Sequence, residues 1–166
     1  MTKYFIALLL ILVVGFAFWS KKETPVASDL KTYTDSQGVF SFQYPEAFNV
    51  SGREEGVLAT VNIPRGYMPQ TNFSEAKLTI NSVSGGADSA CSGTTNESDA
   101  GAGNFYETTR VKKLYDGDCF TFEYVIHSTN IGNYDPSQGI TEFDKSKIKG
   151  GLDGVIKSFR YLVNSD

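Results

Sequence analysis

Apolar and polar residues alternate along several short stretches of this chain, and this alternation constrains the fold more than any other feature. In the stretch "FSFQYP", Phe40, Phe42 and Tyr44 fall on one face of an extended chain, and the polar residues fall on the other. The same pattern recurs at Val57–Ile63 and Lys77–Val83. A half-buried β-strand has this period, so we predict a sheet with one apolar face.

The stretch "RVKKLYDGDCFTFEYVIHS" predicts a β-hairpin. Asp116-Gly117 lies between two extended runs, and this pair suits the positive φ angles of a type I′ turn. In the second run, the apolar face consists of Phe120, Phe122, Tyr124 and Ile126, and the opposite face of Cys119, Thr121, Glu123, Val125 and His127.

Near the C-terminus the apolar period changes to that of a helix. The apolar positions there follow the spacing i, i+4, i+7, i+8 and i+11 and are Ile148, Leu152, Val155, Ile156 and Phe159. Gly150 and Gly151 lie in the middle of this segment and cost about 1 kcal/mol each relative to alanine. The helix is therefore expected either to break at the glycines or to pack closely on the sheet there, and "SFRYL" fits a last edge strand.

The N-terminus carries an uncharged apolar run from Tyr4 to Trp19, preceded by Lys3 and followed by Lys21 and Lys22. It is longer than a typical signal-peptide core and slightly shorter than a comfortable transmembrane helix. Because no small-residue cleavage pattern follows it, we expect residues 1–20 to be a retained membrane anchor or uncleaved signal. Residues 21–30 are then a tether and residues 31–163 a single domain.

The two cysteines, Cys91 and Cys119, are predicted to form a disulfide. An even cysteine count in a chain with an export-type segment favours one bridge over two unrelated buried thiols. A disulfide places the domain outside the cytoplasm, so the expected location is the cell membrane, with a single pass and an extracytoplasmic domain.

The part of the chain after residue 28 is acidic. It has 12 basic and 18 acidic residues, a net charge of −6. Nucleic acids and anionic lipids need a basic surface, so neither is expected as the main partner. The expected partners are an unknown protein or envelope ligand, together with the membrane through the N-terminal helix.

The loop from Arg65 to Phe73 contains three large apolar side chains, Tyr67, Met68 and Phe73. Such a loop either folds back on the core or is exposed for binding. We take these residues, together with Tyr134 from "NIGNYDP", as a possible binding loop.

Two arrangements that would indicate chemistry receive little support. His127 and Ser128 are adjacent, so in a regular strand they point to opposite faces and cannot act as base and nucleophile. A calcium site between the loops carrying Asp88, Asp99 and Asp116 with Asp118 is an alternative, but the spacing of a calcium-binding loop is absent. We expect no cofactor, no metal and no catalytic residue.

A glycine turn, an alternating aromatic strand and a following Tyr-Pro with a large apolar residue resemble the start of PsbP-like domains. The matching residues are Gly38, Phe40, Phe42, Tyr44, Pro45 and Phe48. The end of the chain, "LDGVIKSFRYL", is similar to the closing helix and strand of the family, so the resemblance spans Thr32 to Leu162. It implies an α+β fold, an α/β/α sandwich on a central antiparallel sheet, here in a bacterial relative rather than a photosystem II subunit.

The resulting expectation is a membrane-anchored, extracytoplasmic PsbP-like domain that acts as a non-catalytic binding or accessory module. Two alternatives stay open. One is an envelope hydrolase that uses His127 with acidic partners, and the other is a purely structural subunit of an envelope complex.

Overall fold

The computed structural model describes residues 29–84 and 90–162 of the 166-residue chain. These residues form nine strands and one α-helix. The elements in chain order are β1 (Leu30–Thr34), β2 (Phe40–Pro45), β3 (Asn49–Ser51), β4 (Ala59–Ile63), β5 (Phe73–Ser84), β6 (Gly93–Gly101), β7 (Asn104–Tyr115), β8 (Asp118–Thr129), α1 (Lys145–Ser158) and β9 (Arg160–Tyr161).

The strands form two antiparallel sheets. A small sheet has the order β1-β2-β9, and a large sheet has the order β3-β4-β5-β8-β7-β6. The predicted hairpin is confirmed as β7 and β8, which are joined at Asp116 and Gly117 with φ angles of 48° and 80°. The predicted short final strand is β9.

The hydrophobic core lies between one face of the large sheet and a layer made of α1 and the small sheet. The sheet contributes the predicted apolar face of β8. The helix contributes Ile148, Leu152, Val155 and Ile156, all buried, and Phe159 follows directly after it. Tertiary burial of this apolar stripe, more than helix propensity, holds α1 in place.

The other face of the large sheet, here called the open face, carries mostly polar side chains. On its central strands these are Glu75, Lys77, Glu123 and His127, with Val125 among them. Such a surface gives a helix no apolar stripe to bury. The expected antiparallel α+β fold is confirmed, but the α/β/α sandwich needs correction, because residues 29–84 and 90–162 contain a helix on one face of this sheet and none on the other.

Pro45 ends β2, as expected for a residue that cannot donate to a sheet ladder. The chain then turns, and Phe48 returns to the core with 3% of its surface exposed. Its ring packs edge-on against Tyr67 at 5.3 Å between centroids. The proline therefore redirects the chain so that an aromatic residue beyond the strand shares the core with the strand itself.

The predicted disulfide between Cys91 and Cys119 is present, with Cα atoms 5.5 Å apart. In the large sheet, β8 and β7 lie between β5 and β6. The disulfide attaches Cys91, two residues before β6, to the beginning of β8.

The predicted membrane anchor and most of the tether lie outside the described residues. Within residues 29–84 and 90–162, no helix has the length and apolar content needed to cross a membrane.

Helix α1 continues through Gly150 and Gly151. At Gly151 the helix packs closely against the ring of Phe48. A Cβ atom at Gly151 would lie 2.8 Å from Cζ of Phe48, whereas a Cβ at Gly150 meets no atom within 4 Å. We expect Gly151→Val to lower the free energy of unfolding by about 1–3 kcal/mol through overpacking. We expect Gly150→Ala to raise it by about 1 kcal/mol through helix propensity. Urea unfolding of the two variants measures this, and effects of the same sign would contradict close packing at Gly151.

Candidate functional site

The predicted binding loop folds back on the core for much of its length. Phe73 is a core residue with 1% exposure, and Tyr67 and Met68 pack partly buried against the core. Tyr134 is half-buried at the end of a short helical turn. Exposure of Phe73 is thus corrected, since its ring occupies the core. Binding by the exposed parts of Tyr67, Met68 and Tyr134 stays a prediction.

His127 lies on the open face, as the alternation predicts. Its ring stacks on Tyr106 with 4.5 Å between centroids, and its Nε2 atom lies 2.9 Å from Oδ1 of Asn104. Nδ1 is 3.9 Å from Glu75. Ser128 is buried on the opposite face of β8. Stacking and an amide partner position the imidazole, but they place no nucleophile beside it.

The acidic candidates for a metal site are dispersed. Asp116 and Asp118 lie at the β7–β8 turn, Asp99 lies on β6, and Asp88 is outside the described residues. The part of the chain that the structure describes holds no group of three or more His, Cys, Asp or Glu side chains suited to a metal ion.

The most developed concave surface was not predicted from the sequence, and it results from the shape of the large sheet. Helix α1 packs mainly on β2 and also contacts β8. Beyond β8 the sheet continues with two more strands, β7 and β6. All nine residues of β6 are exposed. The outer two strands therefore form an overhang, and two grooves lie between the overhang and the loop and helix at residues 130–158.

The larger groove, here called the end groove, has a volume of about 630 Å³. It lies where β6 and β7 meet the segment leading into α1. Its apolar part consists of Phe105, Ile131 and Phe143, and Phe105 is 40% exposed. An apolar recess with a few polar groups around it is the usual form of a binding site.

The charged groups of the end groove are mainly acidic. Asp99, Glu107 and Glu142 line it together with one cation, Lys145. Lys145 is already paired with Glu107. Asp99 is opposite Tyr106 in the β6–β7 ladder, so its side chain shares the open face with Tyr106 and His127. Glu142 is therefore the carboxylate that an incoming ligand meets in the recess. This groove therefore favours a neutral or positively charged group over an anion.

Hydrogen bonds, together with side-chain packing, fix the wall of the end groove. Asn72 is buried, donates from Nδ2 to the carbonyl of Thr129 at 2.7 Å, and accepts from the N–H of Phe143 at 3.0 Å. Asn130 accepts from Gly132 through its side chain at 2.9 Å. The recess is thus formed before any ligand binds, which reduces the ordering cost of binding.

The rim of the end groove includes the edge strand β6. Ser98, Asp99 and Ala100 line the groove, and the outer side of β6 pairs with no other strand in the described residues. A free edge strand presents N–H and C=O groups that an additional extended segment can bind.

The second groove, here called the lysine groove, is smaller, about 390 Å³, and lies further along α1. It is lined by Lys113 of β7 and by Lys149, Asp153 and Lys157 of α1. On its floor, the Tyr124 hydroxyl donates to Oδ1 of Asp153 at 3.4 Å. Burial raises the pKa of Tyr124 above its ordinary value, and the carboxylate of Asp153 adds to this rise.

Comparisons with known proteins give similarity at the level of the fold. No family model matches this chain, and no curated protein is significantly similar to it. A crystal structure from Bacteroides thetaiotaomicron VPI-5482 is similar with a TM-score of 0.53 and 12% identity, covering 82% of this chain and 50% of that one. This chain thus spans half of the length of that structure.

The solution structure of cyanobacterial PsbP (CyanoP) from Synechocystis sp. PCC 6803 is also similar, with 14% identity and a TM-score of 0.39. The match covers 86% of this chain and 98% of that one. At these values no residue role and no activity is transferred from either structure.

Proposed function

We propose that this protein is a membrane-anchored, extracytoplasmic and non-catalytic accessory module that binds an extended segment of a protein partner. The observation that carries the proposal is the end groove, where an apolar recess lies directly beside the free edge of β6. A segment paired with β6 directs alternate side chains towards the helix side of the sheet, where the recess lies.

The chemistry of the groove specifies the segment. Phe105, Ile131 and Phe143 suit one large aliphatic or aromatic side chain. Glu142 suits a lysine or arginine next to it, because this carboxylate is not paired with the lysine of the groove. The net charge of −6 after residue 28 adds a long-range attraction for a basic partner.

The placement in the cell rests on two features. The apolar run Tyr4–Trp19 supports an anchor, and the Cys91–Cys119 disulfide supports an oxidising compartment. Protein taken from native membranes should therefore resist alkylation at both cysteines until it is reduced, and its intact mass should include residues 1–19.

Non-catalytic binding is favoured over hydrolysis because, among the described residues, the contacts of His127 come from Tyr106, Asn104 and Glu75, the last at 3.9 Å, and include no serine, threonine or cysteine nucleophile. Tyr106 stacks on the ring, and Asn104 holds Nε2. The end groove, in contrast, combines volume, apolar surface and the unpaired carboxylate of Glu142, which favour the binding of a peptide.

Selection of random displayed peptides on the full-length chain in detergent micelles tests this function. We expect the enriched peptides to share a large apolar residue adjacent to lysine or arginine. Phe105→Ala should weaken their binding about tenfold, since a buried aromatic anchor typically dominates such interfaces. Glu142→Gln should weaken it about threefold at low salt and less at high salt. Affinity is measured by fluorescence anisotropy.

Matched controls lie away from the groove. Leu30→Ala removes a side chain that is 57% exposed on the small sheet, and Glu55→Gln neutralises an exposed carboxylate between β3 and β4. Both should leave peptide affinity unchanged. Enriched peptides without the predicted composition, or equal binding to Phe105→Ala, would overturn the proposal.

A further inference from the structure

Three lysines line the lysine groove of an otherwise acidic domain. Lys149, Asp153 and Lys157 follow each other at intervals of four residues, so they share one face of α1. Lys113 reaches the same groove from β7. The groove thus holds three cations and one carboxylate, although residues 29–166 carry a net charge of −6.

The lysines are not used in ion pairs inside the described part of the chain. Within residues 29–84 and 90–162, no carboxylate lies within 4 Å of the ammonium groups of Lys113, Lys149 or Lys157. Asp153, which has the i+4 spacing for a helical ion pair on either side, instead accepts the hydroxyl of Tyr124. This hydrogen bond holds the only carboxylate of the groove against its floor.

Lys113 is held in position by the protein itself. Its Nζ atom donates to the carbonyl of Ile156 at 3.4 Å and lies 5.8 Å from the centre of the Phe122 ring. Both contacts fix the ammonium group without neutralising it. A fixed, uncompensated cation is what an anion site needs, since little ordering is required when the ligand arrives.

The polar floor of the groove adds hydrogen-bonding groups. The Thr109 hydroxyl donates to Oδ1 of Asn96 at 2.8 Å, which leaves the Nδ2 group of Asn96 directed away from that contact. Thr94 lines the groove beside it on β6. Amide and hydroxyl donors of this kind bind phosphate and carboxylate oxygens alongside lysine.

We propose that the lysine groove binds a small ligand carrying two or more phosphate or carboxylate groups. Lys113, Lys149 and Lys157 supply the positive charge, and Asn96 and Thr94 supply neutral donors. The site is independent of the proposed partner-binding function, because the two grooves use different charged residues and oppose each other in charge. The end groove favours a basic segment, and the lysine groove an anionic ligand.

Titration of the full-length chain with inorganic pyrophosphate and with citrate, at constant ionic strength in chloride, tests the proposal. Isothermal calorimetry measures the dissociation constant, and the two probes separate phosphate from carboxylate recognition. We expect saturable binding of at least one probe. Lys149→Gln with Lys157→Gln should weaken it on the order of tenfold, since a screened charge contact is worth up to about a factor of five.

Two further variants distinguish a specific site from general charge or misfolding. Lys77→Gln removes an exposed lysine on the open face and should leave the dissociation constant unchanged. Asp153→Asn keeps a hydrogen-bond acceptor for Tyr124 but removes the opposing charge, so it should tighten binding about fivefold. Absence of saturable binding to both probes, an equal loss in Lys77→Gln, or weaker binding in Asp153→Asn would each overturn the site. Peptide affinity of the Lys149→Gln/Lys157→Gln variant should stay unchanged, which separates this result from the proposed function.

Discussion

The Cys91→Ala/Cys119→Ala variant is expected to melt about 10 °C below the wild-type protein. The disulfide joins residues 28 positions apart, and closing a loop of this length stabilises a fold by about 3 kcal/mol in the chain-entropy model. For a domain of this size, about 3 kcal/mol corresponds to a shift of about 10 °C. Differential scanning calorimetry, with the oxidised and the reduced wild type beside the variant, measures the effect.

The loss of stability should be concentrated in the overhang. Cys91 lies two residues before Gly93, the first residue of β6, and β6 pairs only with β7 in the described residues. Reduction should therefore raise amide hydrogen exchange most in β6 and least in β4, which three strands separate from β6 in the sheet. It should also weaken peptide binding at the end groove. Uniform exchange across the sheet would contradict a local role for the disulfide.

The second large effect concerns the ion pair between Asp35 and Arg53. The side chain of Asp35 is fully buried, and that of Arg53 is 28% exposed. Arg53 donates from Nε and Nη2 to the two carboxylate oxygens at 2.8 and 2.9 Å. Because Asp35 lies in the β1–β2 turn and Arg53 follows β3, the pair connects the two sheets.

Arg53→Met should lower the free energy of unfolding at pH 7 by about 2–3 kcal/mol, since it leaves a buried carboxylate without its counter-ion. The matched control is Lys31→Met, which breaks the Lys31–Glu46 pair. Both side chains of that pair are about half exposed, so the control should show no measurable loss. Equal effects of the two substitutions would show that burial does not decide the strength of these pairs. Urea unfolding measures both variants.

The same pair gives a defined dependence on pH. Burial acts to raise the pKa of Asp35, but hydrogen bonds from Arg53 and from the backbone N–H groups of Val39 and Gln37 outweigh it, so the pKa lies below its ordinary value. A lowered folded-state pKa stabilises the fold above the unfolded value of about 3.9. In Arg53→Met, burial raises the pKa of Asp35 without the compensation from Arg53. The stability difference between wild type and Arg53→Met should therefore be full at pH 7, begin to shrink where Asp35 of the variant takes up a proton, and disappear as the pH falls through the lowered pKa of the wild type. A difference that grows on acidification would contradict this assignment.

The parts of the fold that bury an apolar face were predictable from the sequence. The alternation at Phe40–Tyr44 and in β8, the turn at Asp116-Gly117 and the helical spacing after residue 145 all reflect burial on one side, and the structure has each of them. Close packing at Gly151 was one of two stated alternatives, because glycine spacing alone does not distinguish a helix break from a tight contact.

The overhang was not predictable by the same means. The sequence of β6 shows no apolar pattern, and the strand is exposed along its whole length. An edge strand with two solvated faces has no apolar alternation, and Thr94 and Thr95 are its only β-branched residues. Both grooves depend on this strand, so the candidate site could not be placed before the topology was known. Phe73 was left with both alternatives open, because an apolar residue at a loop end fits core and surface equally well.

The most direct test of the central claim is to map the selected peptide on the isotope-labelled full-length chain by nuclear magnetic resonance in micelles. We expect intermolecular contacts and the largest shifts at Phe105, Ile131 and Phe143, with added protection of amides on the outer side of β6. Shifts concentrated on the open face around His127, or along the loop containing Tyr67, would contradict binding in the end groove.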